Sequence, residues 1–336
     1  MVRSIEVDLK DAQHVKKELL EKQEINLEYR PIKENGKIYF PVTESYSGET
    51  TEKDLQESIR PKVLSFKEAL EPILTPQELE IVKTAYDVAG NIAIIEVPLE
   101  LQSKEKGIGE ALLSTNPLIK TVLRKDSGHD GVFRTQDMKY LAGEETKVAT
   151  YKENNCTLTF NVEEVYFSVR LSTERKRISD QVQEGENILV MFSGAAPYPC
   201  VLAKNTLAEH IVGVEINPQG HEFGLLNVKK NKLQNVELHC GDVREVVPTI
   251  SWTYDRIIMP LPKTAEEFLD VALPVANKGC TIHLYGFYHE EEFDKAVAEI
   301  DKYCKAANRN YEIKEIVKCG QQSPRTYRIC VDFVVN

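Results

Sequence analysis

The sequence predicts an α/β protein with a mostly parallel, doubly wound sheet at its C-terminal end, preceded by two smaller α+β domains. From Tyr166 onward, apolar runs alternate regularly with helix-length segments. Nearly continuous apolar strands are typical of a parallel sheet that is covered on both faces. Before Tyr166 the apolar runs are shorter and the alternation is irregular, which indicates mixed helix and strand.

The first predicted domain spans residues 1–58. Val15, Leu19 and Leu20 fall on one face of a helix predicted over 11–22, and a β-like segment follows at 37–42. The stretch 43–53 is rich in Ser, Thr and Glu, a composition that indicates a linker. We expect a small module of helix and strand.

The second predicted domain spans residues 61–165. A short helix is predicted at 65–70, and Thr75-Pro76 places a cap residue before Pro at the first helical position of another. Gly90-Asn91 between two apolar runs indicates a tight turn between strands. The elements expected after that turn are a helix at 108–113, a strand at 121–123, a polar loop at 125–131 and a strand pair at 147–151 and 157–162.

The third predicted domain spans residues 166–336 and contains the large sheet. Its strands are expected at 187–192, 211–216, 236–239, 256–259, 280–285, 313–317 and 327–335. Seven strands, the last two close together, are the number expected of the Rossmann-like sheet of class I methyltransferases, which bind a nucleotide-type cofactor.

Charge excludes one class of function. The chain has 53 acidic and 42 basic residues and a net charge of −11. A protein that coats nucleic acid needs clustered Lys and Arg to displace counterions. The basic residues here form short local segments instead, such as Arg175-Lys176-Arg177, which does not exclude a protein that holds one nucleic acid at a local basic patch.

Cysteine and histidine spacing gives no support for a disulfide framework or a metal site. The seven cysteines are scattered without a CxxC pair, and the seven histidines form no HxxxH pattern. No apolar stretch reaches the roughly 18 residues of a membrane helix, and residues 1–8 lack the apolar core of a signal peptide. We expect a cytoplasmic protein with no metal and no membrane partner.

The loops after the first four strands of the sheet hold the candidate ligand site, because ligands of doubly wound sheets bind at the carboxyl ends of central strands. Small residues at 193–196 allow close approach of a ligand. Glu215 is placed to accept ribose hydroxyls, and Asp242 or its neighbour's backbone to bond an adenine edge. Pro260 and Pro262 make the fourth loop rigid. Each of these features, considered alone, can also be explained without a ligand, as a tight turn, a helix cap or the end of a strand.

The segment ahead of the sheet has a more specific pattern. It reads Tyr166-Phe167-Ser168-x-Arg170-Leu171-x-Thr173-Glu174-Arg175-x-Arg177-Ile178 and resembles the signature of the archaeal and eukaryotic tRNA (guanine-N1)-methyltransferase family that acts at position 37, next to the anticodon. Further motifs similar to that family are Gly131-Val132-Phe133-Arg134, Leu141-Ala142-Gly143-Glu144, Met191-Phe192-Ser193-Gly194, Glu215-Ile216-Asn217-Pro218, Gly241-Asp242-Val243-Arg244-Glu245 and Leu261-Pro262-Lys263. The resemblance covers residues 60–336 well and the N-terminal module in position and size only.

The resemblance implies S-adenosylmethionine as the cofactor and guanosine 37 of tRNA as the substrate, giving N1-methylguanosine. It implies that Glu174 is the general base, that Arg134 and Arg170 organise the substrate and the loop, and that Tyr166 and Pro262 shape the pocket. The residues expected at the cofactor are Tyr166, Phe192, Gly194, Pro197, Glu215, Asn217, Asp242, Val243 and Pro260. The residues expected to contact RNA are Arg134, Arg175, Arg177, Lys263, Lys318 and Arg325. We expect a monomer that contacts the anticodon loop and, through its N-terminal module, the body of the tRNA.

The chain departs from the family pattern at three positions. Val190 and Ala196 stand where the family often has an acidic residue and a second glycine, and Pro260 stands where it often has Asn. Three alternatives stay open, and only the last of them rests on Val190 and Ala196. They are the aminocarboxypropyl transferase of wyosine synthesis, a methyltransferase acting on the wyosine precursor, and a tRNA-binding protein without catalytic activity.

Overall fold

The structure is a computed structural model that describes residues 1–58, 64–128, 131, 133, 135–261 and 263–336. The chain forms two compact units, Met1–Glu68 and Ala69–Asn336. The finer division of the second unit near residue 165 stays a prediction. Within the described ranges, no helix has both the length and the apolar character that crossing a membrane requires.

The first unit is an antiparallel sheet in the strand order β2-β3-β1-β4. Its elements are β1 (Val2–Asp8), α1 (Ala12–Glu21), β2 (Ile32–Glu34), β3 (Lys37–Pro41), β4 (Thr51–Lys53) and a 3₁₀ turn at Gln56–Ser58. Buried Leu19 of α1 and Phe40 of β3 belong to its core. The predicted helix and β-segment are confirmed, but the linker prediction for 43–53 is wrong at its end. Thr51–Lys53 pairs with β1, placing Glu52 opposite Arg3, a partner too distant in the chain for local pattern to reveal.

The second unit begins with a smaller sheet in the order β5-β6-β7-β8 and a separate hairpin of β9 and β10. The elements are α2 (Phe66–Leu70, which starts in the first unit), α3 (Pro76–Ile81), β5 (Tyr86–Ala89), β6 (Ile92–Ile95), a 3₁₀ helix at Leu99–Lys104, α4 (Glu105–Thr115), β7 (Thr121–Lys125), β8 (Met138–Gly143), β9 (Val148–Glu153) and β10 (Cys156–Asn161).

Two local sequence signals in this region have the predicted structure. Thr75 caps α3 through a reciprocal pair of hydrogen bonds with Glu78, and Pro76 occupies the first turn. Gly90 lies between β5 and β6 with φ of +62°, and a Cβ at this position would lie 1.9 Å from the carbonyl oxygen of Thr150. Only glycine fits between this turn and the β9 strand.

The large sheet has the strand order β13-β12-β11-β14-β15-β17-β16. Strands β11 to β15 pair in parallel, and β17 is antiparallel to both of its neighbours. The elements are a 3₁₀ turn at Val169–Leu171, α5 (Ser172–Ser179), β11 (Asn187–Met191), α6 (Pro197–Asn205), β12 (His210–Glu215), α7 (Pro218–Lys230), β13 (Val236–Cys240), α8 (Val243–Val246), a 3₁₀ turn at Val247–Thr249, β14 (Tyr254–Met259), a 3₁₀ turn at Ala265–Phe268, α9 (Leu269–Val275), β15 (Ala276–His289), α10 (Phe293–Ala306), β16 (Tyr311–Ser323) and β17 (Thr326–Val335).

This topology confirms the predicted α/β class and places a ligand site. Ile188 to Met191 of β11 are fully buried, as expected of a strand covered on both faces. Along the chain, β11 to β13 extend the sheet in one direction and β14 to β16 in the other. The strand order therefore reverses between β11 and β14, and a crevice forms at their carboxyl ends.

Candidate active site

A cavity of about 570 Å³ opens at the carboxyl ends of β11 to β14. Eight of the nine residues predicted for the cofactor site line it: Tyr166, Phe192, Gly194, Glu215, Asn217, Asp242, Val243 and Pro260. The ninth, Pro197, begins α6 behind the first loop and is absent from the described lining. The fold thus brings residues that were predicted in separate loops of the chain together in one cavity.

The Glu215 carboxylate joins two of these loops. One of its oxygens accepts a hydrogen bond from the backbone N–H of Gly194 at 2.6 Å, and the other accepts from the N–H of Asn217 at 2.8 Å. Burial raises the pKa of Glu215, while these backbone donors act in the opposite direction. The carboxylate is thereby fixed at the end of β12, where a ribose is bound in doubly wound folds.

The first loop has an unusual backbone. Phe192, Gly194 and Ala196 have φ of +57°, +55° and +58°, and Ala196 is the residue before α6. The left-handed conformation costs a residue with a Cβ roughly 1–2 kcal/mol. Ala196 therefore occupies, with some strain, a position where the resemblance leads one to expect glycine.

Asn217 and Asp242 cap the helices that follow their strands. The Asn217 side chain accepts from the N–H of Gln219 and donates to the carbonyl of Glu164 at 2.7 Å. Asp242 accepts from the N–H of Arg244 at 2.8 Å. The side-chain oxygen of Asn217 is thus used within the protein, and its contribution to the cavity is mainly positional.

Sequence reasoning missed part of the lining. Phe268, in a 3₁₀ turn, packs edge-on against Phe192 with ring centroids 4.9 Å apart, and Thr264 and Gly241 also line the cavity. Gly241 has φ of +147°, and a Cβ there would meet Val246 at 2.8 Å. Its place just before Asp242 in the third motif was a usable signal, whereas nothing in the local pattern marks Phe268.

A second cavity of about 450 Å³ adjoins the first, and Val165 and Tyr166 line both. Its charged lining residues are Asp87, Lys125, Glu163, Arg170 and Arg328. Arg170 is 73% exposed and pairs with Asp87 at 2.6 Å. Although burial acts to raise it, the pKa of Asp87 is lowered by Arg170 and Lys125. The second cavity thus has a charged rim.

Arg328 belongs to β17 and lines the second cavity. It donates to the Tyr166 hydroxyl at 2.9 Å, and its guanidinium carbon lies 5.0 Å from the centre of the Phe287 ring. Its Nε is buried without a hydrogen-bond partner among the described residues. A buried donor of this kind is costly to leave unpaired, so it points to a ligand in the second cavity.

Glu174 lies in α5 and is 5% exposed. Arg177 donates to both of its carboxylate oxygens at 2.8 Å, and the Tyr285 hydroxyl donates to Oε1 at 2.6 Å. Glu174 is not among the described lining of either cavity. Cys319, which lines the second cavity, donates its thiol to the carbonyl of Val317 at 3.4 Å. Burial contributes most to the raised pKa of this thiol, and the Glu174 carboxylate lies close enough to help raise it. The carboxylate therefore lies one side chain behind that cavity.

The other residues predicted for catalysis or RNA contact differ in where they lie. Arg134 and Pro262 lie outside the described residues. Lys263 is exposed at the mouth of the first cavity. Lys318 and Arg325 are on the surface and pair with Glu290.

Arg175 and Arg177 do not fit the RNA contact predicted for them. The Arg175 side chain is 2% exposed in a bidentate pair with Glu153. Arg177 is 21% exposed, and its donors are bound to Glu174 and Asp332. Guanidinium groups held by internal carboxylates are not accessible to phosphate. The structure therefore does not support an RNA contact for Arg175 or Arg177.

The lining of the first cavity fits an adenosine-type cofactor. Glu215 supplies a fixed acceptor, Phe192 and Val243 supply apolar faces, and Gly241 leaves room where a side chain would not fit. The fold and this cavity define a methyltransferase of the Rossmann-like class I type.

Comparison with known proteins identifies the family. Residues 149–314 match the TRM5/TYW2 methyltransferase domain, residues 66–146 the TYW2 N-terminal domain and residues 4–50 the tRNA methyltransferase 5 N-terminal domain. The tRNA (guanine(37)-N(1))-methyltransferase Trm5b of Pyrococcus abyssi is 36% identical over 351 aligned residues that cover 100% of both chains. The chain belongs to the tRNA (guanine(37)-N(1))-methyltransferase family.

Solved structures agree with this assignment. The crystal structure of wild-type Trm5b from Pyrococcus abyssi has a TM-score of 0.75 and 35% identity over 100% of both chains. The complex of aTrm5 with tRNALeu has a TM-score of 0.73 and 30% identity, again over 100% of both chains.

Proposed function

We propose that this protein transfers a methyl group from S-adenosylmethionine to N1 of guanosine 37 in tRNA. The observation that carries the proposal is the pair of adjoining cavities that share the Tyr166 wall. Cavities of about 300–1,000 Å³ are typical of small-molecule sites, so the first has room for a nucleoside cofactor and the second for one base. S-adenosylmethionine, when bound, supplies the methyl group on its sulfonium.

The first cavity binds and orients the cofactor. Glu215 accepts from the ribose hydroxyls, with its position fixed by Gly194 and Asn217. Asp242 and Val243 form the edge that faces the adenine, and Tyr166, Phe192, Gly194 and Pro260 complete the wall. In this role Asn217 acts through its backbone, since its side chain caps α7. Pro197 contributes only by fixing the start of α6.

Glu174 acts as the base that removes the proton from guanine N1. N1 carries a hydrogen and is a poor nucleophile until that proton leaves, and general-base assistance contributes about 10²–10⁴-fold. A guanine in the second cavity would approach Glu174 from the side of Cys319. The Cys319 side chain must then move aside so that the N1–H of the base can reach the Glu174 carboxylate.

The cations of the second cavity stabilise the charge that develops on guanine O6 as the proton leaves. Among the described lining residues, Arg328 has an unpaired buried Nε, and Arg170 stands at the rim beside Asp87. Arg134, which the family pattern assigns to the same task, is a further candidate. Pro260 lacks the side-chain amide of the Asn that it replaces, so these arginines provide the polar contacts to the base.

We further propose that the N-terminal unit contacts the body of the tRNA. The match of residues 4–50 to the tRNA methyltransferase 5 N-terminal domain supports this role. Removal of residues 1–58 should then weaken tRNA binding at least tenfold, about 1.4 kcal/mol, while calorimetry gives an unchanged dissociation constant for S-adenosylmethionine. Loss of both affinities would contradict a separate function for this unit.

Product analysis tests the reaction. Unmodified tRNA transcripts with G, A or C at position 37, and tRNA that carries the wyosine precursor there, are incubated with the protein and S-adenosylmethionine, then digested and analysed by mass spectrometry. We expect a gain of one methyl on G37 only. The much larger aminocarboxypropyl adduct, or methylation only of tRNA that carries the wyosine precursor, would overturn the proposal in favour of a wyosine enzyme. Cofactor binding without any product would indicate a non-catalytic tRNA-binding protein.

The base assignment has its own test. Glu174→Gln should lower the single-turnover rate constant at least roughly tenfold and leave cofactor affinity near wild type, because Glu174 does not line the described cofactor cavity. Glu184→Gln, at an exposed position in the loop between α5 and β11, is the matched control and should behave as wild type. Unchanged single-turnover rates in Glu174→Gln would refute the assignment.

A further inference from the structure

A buried chain of charged groups leads away from Glu174 into the sheet. Arg177 donates through Nε and Nη2 to Glu174, and through Nη1 to the Asp332 carboxylate at 2.6 Å. Its Nη2 also reaches the other Asp332 oxygen at 3.2 Å. One guanidinium thus holds two carboxylates, one from α5 and one from β17.

The chain continues from Asp332 through His283. Nδ1 of His283 lies 2.7 Å from Asp332, and Nε2 lies 2.7 Å from Nη1 of Arg256. Arg256 in turn forms a bidentate pair with Glu186 at 2.7 and 2.8 Å. His283 is fully buried, Asp332 is 3% exposed and Arg256 is 4% exposed.

The hydrogen-bond donors fix the tautomer of His283. A guanidinium has no acceptor, so Nε2 of His283 must accept from Arg256 and Nδ1 must carry the proton that it donates to Asp332. Burial lowers the pKa of His283, in agreement with a neutral ring. Asp332 therefore accepts from His283 on one side and Arg177 on the other, and it has one defined orientation.

A second, shorter chain of hydrogen bonds also ends at Glu174. The Tyr198 hydroxyl donates to the Tyr285 hydroxyl at 3.0 Å, and Tyr285 donates to Oε1 of Glu174. Burial raises the pKa of both tyrosines, so both remain donors. Glu174 is thus held by two sets of buried donors from different elements.

Stability alone is a weak reason for such an arrangement. Replacing buried ion pairs by apolar residues of similar volume is often neutral or stabilising. What this network does achieve is a single geometry for Arg177, and Arg177 is the group that sets the orientation of the Glu174 carboxylate. Glu174 lies close to Cys319, a residue that lines the substrate-sized second cavity.

We propose that Asp332 and His283 are positioning residues for the methyl-transfer reaction: they hold Arg177 so that the Glu174 carboxylate is aimed at the base in the second cavity. This inference rests on the proposed function, since it presupposes Glu174 as the base. The residues act through Arg177 and touch neither substrate nor cofactor.

The test compares each substitution in two backgrounds of the full-length protein, wild type and Glu174→Gln. Asp332→Asn keeps the shape of the side chain but removes the charge that Arg177 needs. His283→Leu breaks the contact with Asp332 and Arg256, whereas His283→Gln retains one donor and one acceptor and is the matched control. The measured quantities are the single-turnover rate constant with saturating tRNA and S-adenosylmethionine, and the dissociation constants of both.

In the wild-type background we expect Asp332→Asn and His283→Leu to lower the single-turnover rate constant about tenfold. His283→Gln should stay within about threefold of the wild-type rate constant. The dissociation constants of tRNA and S-adenosylmethionine should stay within about twofold of wild type in all three variants. In the Glu174→Gln background the same substitutions should change the rate less than about twofold, since groups that act as a unit are non-additive. Equal losses in both backgrounds would show a merely structural role and overturn the proposal, as would wild-type rates for Asp332→Asn.

Two further outcomes separate the hypotheses. If Asp332→Asn does not fold, His283→Leu and His283→Gln are compared instead. A lower rate constant for His283→Leu than for His283→Gln, seen in the wild-type background but not in Glu174→Gln, supports the proposal. Equal rate constants in the wild-type background overturn it. If wild type gives no methylated G37, the proposed function fails. If wild type is active and Glu174→Gln is slow but the network variants are not, the further inference alone fails.

Discussion

The buried pair of Glu153 and Arg175 links the β9–β10 hairpin to α5 at the start of the sheet domain. The two side chains are 1% and 2% exposed. Nε and Nη2 of Arg175 donate to the Glu153 oxygens, Nη2 at 2.6 Å, and Nη2 also reaches the carbonyl of Ser168 at 3.1 Å. The guanidinium carbon lies 5.1 Å from the centre of the Phe167 ring.

Glu153→Gln should be strongly destabilising because it leaves the Arg175 charge buried without a counter-charge. Breaking a buried pair in this way costs about 3–5 kcal/mol. In a unit of this size that corresponds to a fall of about 6–20 °C in the unfolding midpoint. The exposed pair of Lys176 and Asp180, with side chains 60% and 61% exposed, is the comparison, and Asp180→Asn should cost about 0–1 kcal/mol.

Urea unfolding, followed by circular dichroism, measures the free energy of unfolding of Glu153→Gln and of Asp180→Asn. The double variant Glu153→Leu/Arg175→Met, which removes both charges together, should recover most of the loss, since apolar replacement of a whole buried pair is often neutral. Its tRNA affinity should equal that of wild type if Arg175 is internal. The reasoning is refuted if Glu153→Gln costs less than about 1 kcal/mol, or if the double variant is stable yet binds tRNA poorly.

Three other predictions concern the cofactor loops and the buried polar groups. Glu215→Gln should weaken S-adenosylmethionine binding by about 1.5–3 kcal/mol, whereas Glu237→Gln on the neighbouring strand, half-exposed outside the cavity, should not; calorimetric titration measures both. Asn227→Leu should cost roughly 3 kcal/mol of unfolding free energy, because the fully buried amide bonds the backbone of Thr159 and Ala195. Between pH 7 and 5 the free energy of unfolding of the wild type should fall, in part because His283 binds a proton more readily in the unfolded than in the folded chain. In His283→Gln, urea unfolding should show a smaller fall over this pH range.

The sign of the pH effect follows from the direction of the shifts. Burial lowers the folded-state pKa of His283, despite the opposing effect of Asp332, so the unfolded chain binds more protons below its ordinary value near 6.5. For Asp332, burial acts to raise the pKa, but His283 and Arg177 lower it overall, which adds a further loss of stability only below about pH 4. An identical pH profile in His283→Gln, equal cofactor affinities in the two glutamate variants, or an Asn227→Leu protein as stable as wild type would each contradict the reasoning.

The strands and loop ends of the sheet domain were predictable because the signals that form them are local. The apolar run of β11, the small residues after it and the carboxylate at Glu215 follow one another within single motifs. The partners of Arg175 and Arg177 were not predictable. Glu153 is 22 residues before Arg175, and Asp332 is 155 residues after Arg177. A basic segment looks the same in sequence whether its charges face solvent or internal carboxylates.

The segment 170–177 shows how the fold resolves that ambiguity. Its sequence looks like one basic patch, but successive residues of α5 are turned by about 100° around the helix axis, so neighbouring side chains face different surroundings. The side chains of Arg170 and Lys176 are 73% and 60% exposed, whereas Arg175 and Arg177 point to carboxylates that are 1% to 5% exposed. Arg177 orients Glu174, Arg175 ties α5 to Glu153, and the outer pair of Arg170 and Lys176 remains exposed. Part of the positive charge of an acidic protein is thus used to orient the proposed base, and within segment 170–177 it is the exposed Arg170 and Lys176 that can contribute to the salt dependence of tRNA binding.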